Sequence, residues 1–319
     1  MTFCGRYCRK CFSAINENKE CENYAPDRTD MQTAIRSQCT ETGGYNRLFL
    51  IINVHFCTMY RKTPFRVAPL EDVEMDLKEL HDRGEKITRI YLTNGDPFVL
   101  GTDRLVKIAD LVHQHLPEVE VLTCYASIQN LKAKSLEDLK LLKSVGYDEL
   151  YVGLETAYAP AVKLINKGFT VEEAYENIGK LKEAGMKYSA LLMLGIGGKG
   201  HSKESVEATA ALLNKYPPYR VSPLSTAVLR GSELEELCDK GEYVQLTERE
   251  LIEEEKMLLR ALKINDCIFF GSHPYNLITI SGVLPQDREE IIKHLDSEMA
   301  AWDRDQPGFL DTVWKRTDM

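Results

Sequence analysis

The feature that most constrains this chain is an alternation between Arg47 and Val228. Short apolar stretches rich in β-branched residues alternate there with longer stretches of helical period. This pattern is typical of βα units on a parallel sheet. The predicted strands cover 47–52, 87–93, 119–125, 149–155, 187–196 and 220–228. Six such units fit either an open doubly wound sheet or a curved, partly closed barrel.

The intervening segments predict helices. They cover 70–84, 102–116, 135–146, 170–185 and 202–216. Several begin with Ser or Thr, followed two or three residues later by Asp or Glu, and several end at Gly. Those residues are the preferred caps of helix ends, so the helix boundaries are predicted as well as the helices themselves.

Three segments are predicted. Residues 1–44 form a cysteine-rich extension, 45–230 form the βα barrel, and 231–319 form an α-rich segment that closes one side of the barrel. The last segment has an acidic helix at 246–263, a short strand at 267–271, a loop at 271–285 and a final helix.

Charge and cysteine content restrict the possible partners. The net charge of −9 argues against a nucleic acid as partner, because phosphate binding needs a clustered positive surface. The sequence has no apolar run long enough to span a membrane and no secretory signal, which predicts a cytoplasmic protein without a membrane partner. Of nine cysteines, five precede Tyr45. In a reducing compartment this number indicates metal or redox chemistry before disulfides.

Polar residues and glycines follow the predicted strands at the point where each ends. Because the carboxyl ends of parallel strands meet at one edge, these residues are candidates for one site. Each motif by itself also has an ordinary interpretation, since Asp96 and Glu155 could simply be turn or capping carboxylates and Cys57 a buried thiol. The candidates are Cys57, Tyr60, Gly95, Asp96, Glu155, Thr156, Lys167, Gly195 and Gly197.

Taken together and in order, these motifs resemble the radical S-adenosylmethionine (radical SAM) enzymes of the MiaB/NifB type, which are related to oxygen-independent coproporphyrinogen oxidases. The resemblance runs from about Tyr45 to about Trp302. It rests on FCTMYRKTPFR (56–66), TNGDP (93–97), YVGLET (151–156) with LINKG (164–168), MLGIGGKG (193–200), FGSHPYN (270–276) and GVLP (282–285).

The resemblance implies a (β/α)6 partial TIM barrel that holds a 4Fe-4S cluster and S-adenosylmethionine (SAM). It implies that SAM is cleaved by one electron to methionine and a 5′-deoxyadenosyl radical, which abstracts hydrogen from a substrate. The substrate itself is unknown and could be a small molecule. An electron donor such as flavodoxin or ferredoxin is implied as a partner.

The resemblance also implies roles for individual residues. Cys57 would be the last of three cluster thiolates, with Phe56 as the aromatic residue before it. Tyr60 and Gly95 would belong to the cofactor-binding edge. The remaining cofactor contacts would be Asp96 at the SAM amino group, Glu155 and Thr156 at the ribose, Lys167 at the carboxylate, and the Gly195 and Gly197 segment at the adenine.

The chain departs from the family at the cluster motif. The family pattern is Cys-x-x-x-Cys-x-x-Cys or a version one residue longer, whereas Val54 stands here at the place of the middle cysteine and the first cysteine is missing. One thiolate does not hold a cluster. Cys4, Cys8 and Cys11 have the required spacing and are candidate ligands, either of the cluster or of zinc with Cys21 as the fourth ligand.

Two further explanations remain open. The chain could be a derivative that keeps the barrel and the SAM pocket without radical chemistry, and would then act as a binding or scaffold protein with zinc at the N-terminal cysteines. Alternatively, the residues before Cys57 could derive from a shifted reading frame, because suitable codons for 51–56 would place a cysteine three residues before Cys57 in the neighbouring frame.

Overall fold

The structure is a computed structural model that describes residues 55–58, 67–84, 86–92 and 95–316. The predicted strand at 47–52, the extension 1–44 with Cys4, Cys8 and Cys11, and Tyr60 lie outside these residues. The boundaries of the three predicted segments stay predictions.

One seven-stranded sheet organises the described chain, and its strands follow one another in chain order. Strands one to six are parallel, and strand seven is antiparallel to strand six. Parallel neighbours in chain order are typical of a barrel wall wound in one direction. The strands are β1 (Arg89–Leu92), β2 (Val121–Ala126), β3 (Tyr147–Glu155), β4 (Lys187–Leu194), β5 (Arg220–Ser225), β6 (Cys267–Phe270) and β7 (Ser281–Leu284).

The predicted helices are present, and three short helices at Ile128–Lys132, Ala159–Leu164 and Glu233–Asp239 were not predicted. Ser135, Thr170 and Thr247 each form a capping box with the acidic residue three positions later, which explains why these helices begin there. The helices are α1 (Leu70–Asp82), α2 (Thr102–His115), α3 (Ile128–Lys132), α4 (Leu136–Ser144), α5 (Ala159–Leu164), α6 (Val171–Glu183), α7 (Ser202–Lys215), α8 (Glu233–Asp239), α9 (Glu248–Ala261) and α10 (Arg288–Asp305), with 3-10 turns at Pro97–Val99 and Phe309–Asp311.

The two faces of the sheet differ in composition. On one face Leu122, Leu150, Ala190 and Val221 are fully buried in a core that includes residues of the helices. We call the opposite face the inner face. Four residues lie side by side across it on neighbouring strands, namely Tyr125, Tyr151, Ser189 and Arg220. Side chains alternate along a strand, so the helices cover one face and leave the polar and aromatic row on the other.

The C-terminal segment extends the sheet and closes on its carboxyl edge. Strands β6 and β7 continue the sheet beyond β5. The side chain of Asn276, in the loop between β6 and β7, connects this loop to β5 by hydrogen bonds. Asn276 Oδ1 accepts from Ser225 N at 2.7 Å, and its Nδ2 donates to Pro223 O at 3.0 Å and Gly271 O at 2.8 Å. The prediction of a loop throughout 271–285 was therefore wrong at β7.

A buried ion pair between Arg316 and Glu248 stabilises the C-terminal segment. Arg316 Nη2 lies 2.5 Å from Glu248 Oε2, and both side chains are 1% exposed. Arg316 Nε also donates to Tyr275 O at 2.6 Å. The pair thus joins the start of α9 to the loop that covers the end of β5.

A second buried carboxyl, Glu255 on α9, should make stability depend on pH. Its Oε1 is buried without a hydrogen-bond partner, and burial raises its pKa to about 8 from an ordinary value of 4.5. Between these values the folded protein keeps a proton that the unfolded chain releases, so the free energy of unfolding should fall as pH rises, by roughly 1 kcal/mol per pH unit. Urea unfolding of the wild type and Glu255→Gln from pH 5 to pH 9 measures this.

The Glu255→Gln protein should gain stability relative to the wild type as pH rises, and the gain should level off above about pH 8. Glutamine keeps the size of the Glu255 side chain beneath Gly271, where space is tight, because a Cβ on that glycine would lie 2.8 Å from the carboxyl oxygen. Parallel pH curves for the two proteins would contradict the prediction.

No helix in the described part of the chain combines the length and the apolar character that crossing a membrane requires.

Candidate cofactor site at the carboxyl ends of the strands

The short segment containing Cys57 is held against the barrel by backbone contacts on both sides. His55 N donates to Ile165 O at 3.1 Å, and Leu234 N donates to His55 O at 2.8 Å. His55 Nδ1 lies 2.6 Å from Leu164 O. These contacts connect the segment to the end of α5 and the start of α8. Cys57 follows as a partly exposed free thiol.

Glu155 and Lys167 form a nearly buried ion pair at the end of β3. Lys167 Nζ lies 2.9 Å from Glu155 Oε1, and the two side chains are 9% and 10% exposed. Glu155 has a φ of +61°, a left-handed conformation that is costly for a residue with a side chain, and the pairing of β3 with β4 shifts register there. The irregular strand end turns the carboxylate toward Lys167.

The ion pair and the Cys57 segment meet through Phe56. Lys167 Nζ lies 5.7 Å from the centre of the Phe56 ring, within the range of a cation–π contact. Phe56 itself packs against the small core cluster around Ile165, Met193 and Leu234. The structure therefore brings the predicted residues Cys57, Glu155 and Lys167 to one part of the strand edge.

Asp96 joins the ends of two neighbouring strands. Its Oδ1 accepts from Phe98 N at 3.1 Å, and its Oδ2 accepts from Ser127 N at 2.7 Å and Asn130 Nδ2 at 2.6 Å. Burial raises the pKa of this carboxyl, while the hydrogen bonds oppose the rise. Three hydrogen-bond donors of the protein bind the Asp96 carboxylate, as they would bind a capping residue. The contact of Asp96 with SAM stays a prediction. Gly95 before it has a φ of +90°, which confirms the tight turn predicted there.

Thr156 is turned into the protein. Its Oγ1 accepts from Tyr158 N at 3.0 Å and lies 3.1 Å from Thr209 Oγ1 and 3.3 Å from Ser205 Oγ on α7. The residue is 1% exposed. The hydroxyl thus fixes the loop after β3 to α7, and its contact with the ribose stays a prediction.

The glycine-rich loop after β4 is clamped by α9 and the segment before it. Gly195 N donates to Glu254 Oε1 at 2.8 Å, and Tyr243 OH donates to Gly195 O at 2.8 Å. A Cβ at Gly195 would lie 2.6 Å from Leu251, and φ is +80°, so this position requires glycine. Gly197, two residues later, packs near His201 and Ser205. The adenine contact predicted for this segment stays a prediction.

The described residues supply one candidate cluster ligand, Cys57. Within the described ranges, no group of three or more His, Cys, Asp or Glu is arranged to hold a metal ion. Cys124 and Cys267 are buried, and burial raises the pKa of both thiols, that of Cys267 to about 12. Cys238 packs with Phe56 against the small core cluster. Cys124 and Cys267 are therefore core residues, whereas Cys238 is partly exposed.

The polar and aromatic residues of the inner face were not among the predicted site residues. Tyr91, Tyr125 and Tyr151 have ring centres 5.2–6.0 Å apart, and Arg220 lies over the Tyr151 ring. The signal was present, because a large polar or aromatic residue recurs at every second position of several strands, as in RIYL at 89–92.

A parallel wall with its loops and a charged pair at the carboxyl edge is the arrangement of a barrel-type protein, a class in which functional sites lie at that edge. The sequence assigns this class to a family. The chain belongs to the radical SAM superfamily, whose family model matches residues 55–213. The motifs that predicted this family are thereby confirmed at the level of the superfamily.

Two curated relatives share about a quarter of their aligned residues with this chain. An uncharacterized protein, MJ0486, of Methanocaldococcus jannaschii is 26% identical over 202 residues, covering 63% of this chain and 60% of the relative. A tRNA uridine(34) acetyltransferase of the same organism is 27% identical over 118 residues, covering 37% of this chain and 22% of the relative. The chain thus spans less than two thirds of the length of these curated relatives.

A solved structure shares the fold. Methylornithine synthase (PylB) superposes with a TM-score of 0.50 at 16% sequence identity, and the match covers 80% of each chain. At this identity the similarity concerns the fold, which confirms the predicted partial barrel of the radical SAM type.

Proposed function

We propose that this protein is a radical SAM enzyme that cleaves SAM reductively and abstracts hydrogen from a substrate. A 4Fe-4S cluster bound here would supply one electron for cleavage of the bond between the SAM sulfur and C5′, and the products would be methionine and, once C5′ has taken a hydrogen atom from the substrate, 5′-deoxyadenosine. The observation that carries the proposal is the position of Cys57 beside Phe56, whose ring contacts the Lys167–Glu155 pair at the strand edge.

The ligand set of a 4Fe-4S cluster is incomplete within the described residues. Cys57 supplies one thiolate, and soft sulfur ligands are what such clusters require. We propose that two of the three cysteines Cys4, Cys8 and Cys11, which lie outside the described residues, supply the other two thiolates. The family supports SAM and a cluster, and it gives no support to zinc at these cysteines.

The chain's own residues would position SAM at the edge. We propose that Lys167, held by Glu155, faces the SAM carboxylate, and that Glu155 contacts the ribose hydroxyls. We propose that the Gly195 and Gly197 segment contacts the adenine at Gly197, which is partly exposed, while Gly195 is covered by Leu251 and keeps the loop in place. Flavodoxin or ferredoxin would deliver the electron.

Anaerobic reconstitution of the full-length protein with iron and sulfide tests the proposal. We expect a brown protein with one cluster per chain that forms 5′-deoxyadenosine from SAM when dithionite is added. A colourless protein that retains zinc and forms no 5′-deoxyadenosine would overturn the proposal in favour of a cluster-free scaffold.

A further inference from the structure

Arg220 lies on the inner face at the amino end of β5. It begins β5 and pairs in register with Ser189, which pairs with Tyr151 and through it with Tyr125. Register partners on parallel strands point to the same side of the sheet. Arg220 therefore shares the inner face with the two tyrosines, opposite the helices.

The guanidinium of Arg220 lies between two aromatic rings. Its carbon is 6.0 Å from the centre of the Tyr151 ring and 5.7 Å from that of Phe270. Arg220 Nη1 makes one long hydrogen bond, of 3.4 Å, to Tyr151 OH, and Nε is buried without a partner. Rings on a guanidinium leave its N–H edge free to bind an anion.

The charge of Arg220 is not neutralised by its neighbours. Glu149 on the same face is held by Arg89 at 2.9 Å and by Ser189 Oγ at 2.5 Å. Lys167 and Glu155 neutralise each other at the strand edge. Arg220 itself forms no ion pair with any carboxylate in the described part of the chain, so one positive charge remains in a protein whose net charge is −9.

Aromatic surface surrounds this charge. The rings of Tyr91, Tyr125 and Tyr151 contact one another, and Tyr125 is 39% exposed although it lies on the inner face. Tyr151 connects the Arg220 guanidinium to the exposed Tyr125 ring, so the inner face offers a stacking surface that extends from the anion site.

The distance from Arg220 to the carboxyl edge of the sheet matches the length of a small molecule. Tyr151, which lies level with Arg220, precedes Glu155 by four residues of β3, or roughly 13 Å at the usual rise of a strand. A ligand with its anionic end on Arg220 would reach the edge with its other end.

We propose that Arg220 binds the carboxylate of a small-molecule substrate with a flat, unsaturated body that packs on the tyrosines of the inner face. This inference rests on the proposed function, because it identifies the substrate class of the same barrel. A carboxylate fits better than a phosphate, since one guanidinium edge matches two carboxylate oxygens and no second cation joins it among the described residues.

Binding of simple probes tests the proposal on the full-length protein, reconstituted anaerobically and assayed without reductant. Benzoate, its neutral analogue benzamide, and phenyl phosphate are compared by broadening of their proton NMR lines on titration. We expect benzoate to bind and benzamide to bind at least tenfold more weakly. Arg220→Gln should weaken benzoate at least tenfold, because the charged hydrogen-bonding edge is lost.

Two further variants complete the test. Arg220→Lys keeps the charge without the planar edge and should lie between the wild type and Arg220→Gln. The matched control Arg260→Gln, at an exposed position of α9, should bind benzoate as the wild type does.

Equal binding of benzoate and benzamide, or tighter binding of phenyl phosphate than of benzoate, would overturn the proposal even if no Arg220 variant folds. These outcomes are separate from those of the SAM cleavage assay, because the binding assay needs no turnover. A wild type that binds benzoate but forms no 5′-deoxyadenosine would overturn the proposed function and leave the anion site standing.

Discussion

Cys57→Ser is expected to abolish both iron binding and the formation of 5′-deoxyadenosine. Serine keeps the size of the side chain but replaces a soft thiolate with a hard oxygen, which iron–sulfur clusters bind poorly. Replacing a residue that only hydrogen-bonds to a metal ligand typically lowers metal affinity or activity by about 10–100-fold. Loss of a ligand itself should therefore reduce activity by more than about 100-fold. Iron content, visible absorbance and product formation measure the effect after anaerobic reconstitution.

Cys238→Ser is the matched control. Cys238 is also partly exposed and packs near Phe56, yet it lies on α8 and not at a strand end. This variant should retain the cluster and the activity. If Cys57→Ser retained both as well, Cys57 would not be a cluster ligand. Replacing Cys4, Cys8 and Cys11 together by Ser should reproduce the loss, and full activity in that variant would exclude them as ligands.

Lys167→Met is expected to destabilise the protein by about 3 kcal/mol, because breaking a buried pair leaves an uncompensated charge. That charge is Glu155, whose side chain is 10% exposed and sits on a left-handed backbone. SAM affinity should fall together with stability if Lys167 faces the SAM carboxylate. Urea unfolding gives the stability, and equilibrium dialysis gives the affinity for SAM.

Lys163→Met controls for the loss of a lysine in the same region. Lys163 is exposed on α5 and forms no ion pair among the described residues, so its replacement should change stability by less than about 0.5 kcal/mol. The double variant Glu155→Gln/Lys167→Met should be more stable than Lys167→Met, because it removes the stranded carboxylate. A double variant no more stable than Lys167→Met would contradict the importance of the pair.

The regular elements of the fold were predictable because local signals coincide with the tertiary structure. Helices α4, α6 and α9 begin at Ser or Thr followed by an acidic residue, and their capping boxes form as the sequence indicates. Strand β7 was not predictable in this way. Its four residues, SGVL, contain a glycine and alternate weakly, and they become a strand through antiparallel pairing with β6.

The candidate site was predictable only in part. Strand ends identified Glu155 and Lys167, but nothing local indicates that their side chains pair or that Phe56 contacts Lys167 across more than a hundred residues. The local sequence also gives no sign that the Thr156 hydroxyl bonds Thr209 on α7, 53 residues later. Arg220 was missed because its importance depends on which neighbours are already neutralised, and that requires the register of four strands.

The ion pair between Arg316 and Glu248 determines when the protein can complete its folding during translation. The two residues are 68 positions apart, and Glu248 is almost fully enclosed once α9 packs. A nascent chain would carry this acid without its counter-ion until Arg316 has left the ribosome. The barrel should therefore mature late, after translation has passed Arg316, and not strand by strand as it emerges.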